Sequence, residues 1–295
     1  MQVGLCFPYW SPEPATRDFA LEWLRLVDEG PFSSVSCGER VNGPSLEMTA
    51  VLSAAAAVTR RVRIVPTLYV MPMHAAVWVA KHAATLDVMS NGRVTVTVGV
   101  GGGADYRAME VTAPAAAHTQ LEQQVATMRR VWAGQAPFEG TLPIGPRPVQ
   151  PGGPPVIAGV MRPRATARVA RWADGVYAWS GNGERDEIAR QVGQVRAAWR
   201  EAGRERPPRL VAGFWCSLAR DAETRLREHV RGYVGLHDAK LAHAMAEKLT
   251  RFTPEAVDRA LDDLQELGIE ECMLLPVTRD LAEVDRLAQL VAKRG

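Results

Sequence analysis

RVRIVPTLYVMPMHAAVWVAKHAATLDVMSNGRVTVTVGVGGG, residues 61–103, holds a complete strand–helix–strand unit. Its first part, residues 62–70, is short and β-branched and stops at Met71-Pro72. Residues 74–89 space Val77, Ala80, the Lys81 stem, Ala84 and Val88 on a helical period. Ser90-Asn91-Gly92 ends that helix, because Asn-Gly readily takes the positive φ of a helix stop. Residues 94–100 then alternate Val and Thr and run into Gly101, Gly102 and Gly103. Two strands joined by a crossover helix are parallel, so this is a βαβ unit with glycine backbone at the second strand's carboxyl end.

The same alternation extends in both directions. Strands are expected at 3–7, 32–37, 156–160, 175–179, 209–218 and 272–276. Helices are expected at 17–29, 45–60, 119–132, 163–173, 186–202 and 281–293, with a helical region over 222–267. Thr253-Pro254-Glu255 marks a fresh helix start within that region. The proline- and glycine-rich residues 134–155 read as an excursion over the rim. Eight strand–helix repeats make a (β/α)8 TIM barrel with rim insertions, a single domain over 1–295. A dinucleotide-binding open sheet would want a glycine fingerprint after the first strand, where this chain has Pro8, Pro12 and Pro14.

Composition removes several function classes. Of 295 residues, 47% are apolar, enough for a sizeable core, and the formal net charge is only +2. That charge argues against nucleic acid and against an anionic membrane surface as partners. Cys6, Cys37, Cys216 and Cys272 fall in expected strands with no CxxC pair, which suits buried thiols in a reducing compartment and no metal site. No apolar run reaches the length of a spanning helix and the first residues lack a leader pattern, so the expected location is cytoplasmic.

In a TIM barrel the working face lies at the strands' carboxyl ends. Those ends are rich in aromatic residues and backbone and hold neither paired carboxylates nor a nucleophile with its base. Such a face suits a planar cofactor that brings its own reactivity. Gly99, Gly101 and Gly102 permit close backbone approach to a ring. Trp10, Tyr69, Tyr177, Trp179 and Trp215 are candidates for an apolar substrate wall. His74, near the mouth, is a candidate acid/base. Arg40 is a candidate for holding an anionic substrate or a cofactor carbonyl, its alternative being an ion pair with Glu39 or Glu47. His82, Asp87 and Asp174 read as structural.

Three segments of the central stretch (80–87, 90–93 and 98–101), with Pro154-Pro155-Val156-Ile157-Ala158-Gly159, Pro163-Arg164-Ala165 and Ala173-Asp174-Gly175 downstream, resemble the bacterial-luciferase-like family of flavin- and deazaflavin-dependent oxidoreductases. The resemblance covers nearly the whole chain and implies a TIM barrel. It implies a cofactor ring held by the glycine loop and by Thr67 and Leu68, with a cis bond between those two. It also implies a phosphate subsite at Gly159, Val160, Met161 and Arg162, although Arg162 stands where relatives carry a hydroxyl. Arg40 likewise stands where many deazaflavin-using relatives carry histidine.

The expected function is oxidation–reduction of a small organic substrate with reduced coenzyme F420 or FMN, leaning slightly to F420. F420 would mean hydride transfer. FMN would mean monooxygenation with dioxygen through a flavin peroxide, with a separate reductase as partner. The Arg40 and Arg162 departures also admit a non-catalytic barrel acting as partner subunit or binding protein. Leu46, Met48, Val51 and Leu52 on the second helix are the expected homodimer contact. Residues 104–118, 134–155 and 222–252 are the expected determinants of the substrate.

Overall fold

The computed structural model describes residues 1–294 apart from residue 113. In chain order the elements are β1 (Gln2–Cys6), α1 (Arg17–Glu29), β2 (Ser34–Cys37), α2 (Met48–Val58), β3 (Arg63–Pro66), β4 (Tyr69–Val70), α3 (Ala76–Met89), β5 (Val96–Gly99), α4 (Gly103–Ala108) and α5 (Ala117–Trp132). They continue as β6 (Val156–Gly159), α6 (Pro163–Val169), β7 (Gly175–Trp179), α7 (Arg185–Glu201), β8 (Arg209–Cys216), α8 (Ala222–Gly235), α9 (Ala239–Glu247), α10 (Pro254–Glu266), β9 (Glu271–Pro276) and α11 (Leu281–Ala292).

All strand pairs are parallel, in the order β3-β2-β1-β9-β8-β7-β6-β5-β4. The two ends of that order, β3 and β4, are halves of one stave, divided at a cis Thr67–Leu68 bond. β3 also meets the entrance to β5 through a parallel Ile64–Val94 bridge. Nine segments therefore make eight staves of a nearly closed barrel, the TIM-like fold expected from the alternation.

Local chemistry explains the helix boundaries. Thr16 caps α1 by accepting from Phe19 N, Thr253 caps α10 by accepting from Ala256 N, and Glu47 caps α2 through Thr49 N and Ala50 N. α1 buries Trp23, Leu24 and Val27, and full burial of one such aliphatic side chain is worth about 1.5–3 kcal/mol. After α3, Asn91 and Gly92 both have positive φ, as the Asn-Gly stop predicted. The buried stripe of α3 is Val79, Ala80, Ala83, Ala84, Leu86 and Asp87, not the face through Val77 and Val88. Small residues pack there against the barrel, and Val88 faces solvent.

Inside the barrel Val65, Ile157, Tyr177, Val211 and Met273 form a packed layer. At its amino end buried Glu271 pairs with Arg63 (2.6 Å) and Arg209 (3.0 Å) and accepts from the Ser33 and Ser34 hydroxyls. This ion-paired cluster closes the amino end of the barrel interior, and a cavity lies toward the carboxyl ends of the strands. Residues 134–155 do not lie there. Asp87 accepts from Val149 N and Gln150 N, and Lys81 donates to Gly145 O, so this segment runs along α3 toward the amino end. An α-to-β connection has to return to that end, which removes residues 134–155 from the expected substrate determinants.

Asp87 and Asp174 are structural as expected, the latter accepting from Val156 N at 2.8 Å. The four cysteines are free and buried. Among the described residues no helix is long and apolar enough to cross a membrane, and no cluster of His, Cys, Asp or Glu could hold a metal ion.

Candidate active site at the barrel mouth

A cavity of ≈ 600 Å3 opens at the carboxyl ends of the strands. Its size is in the range of small-molecule and cofactor sites. Arg40, Thr67, Leu68, Gly101, Gly102, Gly159, Val160, Met161, Arg162, Tyr177, Trp179 and Trp215 all line it, which gathers most of the expected site residues in one place.

Four do not line it. Gly99 is buried beneath Leu68, and a Cβ there would lie 2.8 Å from Leu68 Cδ2. Trp10 packs edge-on against His229 and Tyr233. Tyr69 turns outward and its hydroxyl bonds to His82 Nδ1, so it is core and His82 is its partner. His74 sits behind the wall with Nε2 2.6 Å from Glu39 Oε1. The other Glu39 oxygen accepts from Val70 N at 2.5 Å. His74 therefore braces the acid that holds β4 in place.

The glycines serve the walls as much as any ligand. A Cβ at Gly159 would meet Leu68 Cδ2 at 2.4 Å, and one at Gly101, whose φ is +63°, would meet Val70 Cγ1 at 2.3 Å. Leu68 and Val70 can fold over the mouth only because these positions lack side chains.

One wall carries a charge cluster. Arg40 is 8% exposed, and its Nη1 donates to Asp105 Oδ2 at 3.2 Å. The same nitrogen lies 2.7 Å from His237 Nε2, and the guanidinium carbon sits 4.0 Å from the centre of the Tyr233 ring. Asp105 Oδ1 accepts from Val41 N, Asn42 N and Asn42 Nδ2. The partner of Arg40 is thus Asp105, neither Glu39 nor Glu47, both of which are engaged elsewhere. Tyr9 and Tyr233 join hydroxyl to hydroxyl at 3.0 Å, and burial pushes the Tyr9 phenol well above its usual pKa.

Asp105, Tyr9, Tyr233 and His237 are not among the individually named candidates, although Asp105 lies in the expected determinant 104–118 and Tyr233 and His237 in 222–252. Asp105 had a signal, an acid in the first turn of a helix opened by three glycines. Tyr233 and His237 were marked only by their segment, since α8 and the turn after it reach the mouth through tertiary packing.

Four buried polar atoms of cavity-lining residues find no partner among the described residues: Thr67 Oγ1, Thr97 Oγ1, Arg40 Nε and His118 Nδ1. Leaving such groups unpaired costs about 1–3 kcal/mol each. The arrangement fits a flat molecule with heteroatoms along one edge, resting on Leu68 and Val70. Arg162, exposed at the start of the short α6, is the one cation on the Gly159–Arg162 side of the cavity among the described residues.

Residues 1–293 match the family described as luciferase-like monooxygenase, and the chain belongs to that family. An uncharacterised protein of Mycobacterium tuberculosis is 32% identical over 168 residues, 55% of this chain and 58% of that protein. The match thus spans little more than half the length of the curated relative. Among solved structures, the monooxygenase RslO1 from Streptomyces bottropensis superposes with a TM-score of 0.77 at 24% identity, over 99% of this chain and 98% of that one. The coenzyme F420 dependent tetrahydromethanopterin reductase from Methanopyrus kandleri superposes with a TM-score of 0.76 at 16% identity, over 99% of both chains. At these identities the superpositions speak to fold.

Proposed function

We propose that this member of the luciferase-like monooxygenase family is an oxidoreductase that binds reduced coenzyme F420 at the barrel mouth and transfers hydride to a small organic substrate. The observation that carries the reading is the cavity in which Thr67, Thr97 and Arg40 each leave a buried polar atom unpaired over a floor of Leu68 and Val70. In this reading Thr67, Thr97 and Arg40 meet the heteroatom edge of the ring. Gly101, Gly102 and the Gly159–Arg162 segment border its phosphate side, where Arg162 supplies a charged fork in place of a hydroxyl. Trp179, Trp215 and Tyr177 form the opposite wall, where an apolar substrate excludes water.

Bound reduced F420 would supply a hydride, whereas bound reduced FMN would supply electrons for dioxygen chemistry. The protein's part is placement: Glu39 and His74 hold the β3–β4 break, and Asp105 anchors Arg40. Arginine stays charged, so Arg40 stabilises negative charge and does not carry protons.

The FMN reading is favoured by one observation, an apolar aromatic wall that could shield a reactive oxygen species. It needs a separate flavin reductase, because the chain shows no dinucleotide fingerprint after β1. A homodimer is also proposed, resting on the family resemblance.

The reaction class is tested by giving the protein each reduced cofactor with a panel of ketones and unsaturated compounds, with and without dioxygen. The expected result is substrate-dependent oxidation of F420 that proceeds without dioxygen. Oxygen consumption with reduced FMN and none of that F420 turnover would contradict it.

A further inference from the structure

The turn between α8 and α9 delivers a histidine to the mouth, and the geometry of its neighbour decides which nitrogen carries the proton. His237 Nε2 lies 2.7 Å from Arg40 Nη1. A guanidinium only donates, so Nε2 must accept, and the ring proton sits on Nδ1. Burial and the Arg40 charge both hold the histidine below its usual pKa, which keeps this tautomer uncharged near neutral pH. Asp105 pulls the other way, and Arg107 adds to the lowering.

His237 lines the cavity, and Nδ1 has no protein partner among the described residues. Gly102 lies close against the ring, where a Cβ would come within 3.0 Å of Cε1. The other unpaired donor on this wall, buried Arg40 Nε, is the one given to the cofactor ring edge in the proposed function. Acceptors nearby are already used: Asp105 serves Arg40 and three N–H groups, and Glu39 serves Val70 and His74. The two carboxylates on this wall are therefore already engaged, and the Nδ1–H of His237 is left to be offered to a ligand.

We propose that His237 is a substrate-binding residue whose Nδ1–H donates to a carbonyl or carboxylate oxygen, its tautomer fixed by Arg40. This deepens the reading of the cavity as a substrate pocket and rests on it. The site would take small molecules that bring an oxygen acceptor to the His237 side and an apolar body to Trp179 and Trp215. Behind the imidazole, Arg40 polarises the ring, so that charge gathering on the substrate oxygen is stabilised through the Nδ1–H without His237 giving up its proton.

The test uses the full chain labelled with nitrogen-15 histidine. Long-range proton–nitrogen spectra at neutral pH should show His237 with the proton on Nδ1. Hexanoate and methyl butyl ketone are the probes, and binding of either should shift the Nδ1 resonance. The ketone alone shifting it assigns a carbonyl site, and hexanoate alone a carboxylate site. His237→Phe should weaken probe binding about tenfold, as expected for one lost donor. His237→Asn, which keeps an N–H, should recover part of it. A proton on Nε2, or no shift with either probe, overturns the proposal. Cofactor titration of the same samples separates the two readings. Cofactor binding unchanged with a silent His237 sinks this inference alone, whereas loss of all cofactor binding in the unaltered chain sinks the reading beneath it.

Discussion

At the residue scale, His229 shows how packing overrides side-chain chemistry. It stacks on Tyr233 at an interplanar angle of 9°, meets Trp10 and Trp215 edge-on, and leaves both ring nitrogens unpaired. Burial first, and the Arg40 charge second, lower its pKa from 6.5 to about 3. Between those values the unfolded chain binds a proton that the folded chain refuses. Stability is therefore fully present above 6.5 and falls by about 1.4 kcal/mol per pH unit as pH drops toward 3. His229→Phe removes both the unpaired nitrogens and this proton linkage. It should gain about 1–3 kcal/mol at neutral pH, and its denaturant midpoint should change less with pH over that window. A pH dependence as steep as that of the unaltered chain would show that His229 titrates normally. Nothing in the sequence distinguishes His229 from His237, eight positions on: His229 on α8 is sealed among aromatics, and His237 in the turn after α8 lines the cavity.

At the element scale, the crossover around α3 was legible because its signals are local. Asn91-Gly92 ended the helix, and Val-Thr alternation fixed β5. The inward face of α3 was not, because alanines carry little periodic contrast and Val77 and Val88 misled the phase. The same weakness affects α2. Met48, Val51 and Leu52, expected at a homodimer contact, are buried within the fold and cannot face a partner. Among the apolar residues that remain exposed, Trp78 (70% exposed) and Met89 lie about three turns apart on one face of α3. If the proposed homodimer forms, this is the apolar surface it has to cover. Trp78→Glu should leave the circular dichroism spectrum unchanged and convert a dimer to a monomer in light scattering. A monomer in the unaltered chain, or a dimer indifferent to the change, would contradict that contact.

For the whole molecule, the barrel was readable from the count of strand–helix repeats, and the strand ends then gave most of the cavity wall. Arg40, Thr67, Leu68 and the Gly159–Arg162 run were found because each sits at a strand's carboxyl end, a position that sequence order alone defines. Asp105, Tyr233 and His237 come from α4 and the α8–α9 excursion, whose placement over the mouth depends on contacts distant in sequence. On the substrate side the segments 104–118 and 222–252 and the aromatic residues Tyr177, Trp179 and Trp215 were thus legible in the sequence, but not which residues of those segments reach the cavity. The proposed function turns on the cofactor side. The most direct measurement is an anaerobic titration of the purified chain with F420 and with FMN, each oxidised and reduced, followed by fluorescence. Saturable binding of F420 in preference to FMN, weakened by replacing Thr67 or Arg40, is the expected result. Binding of neither by a folded chain would contradict the central claim and leave a luciferase-like barrel without redox chemistry.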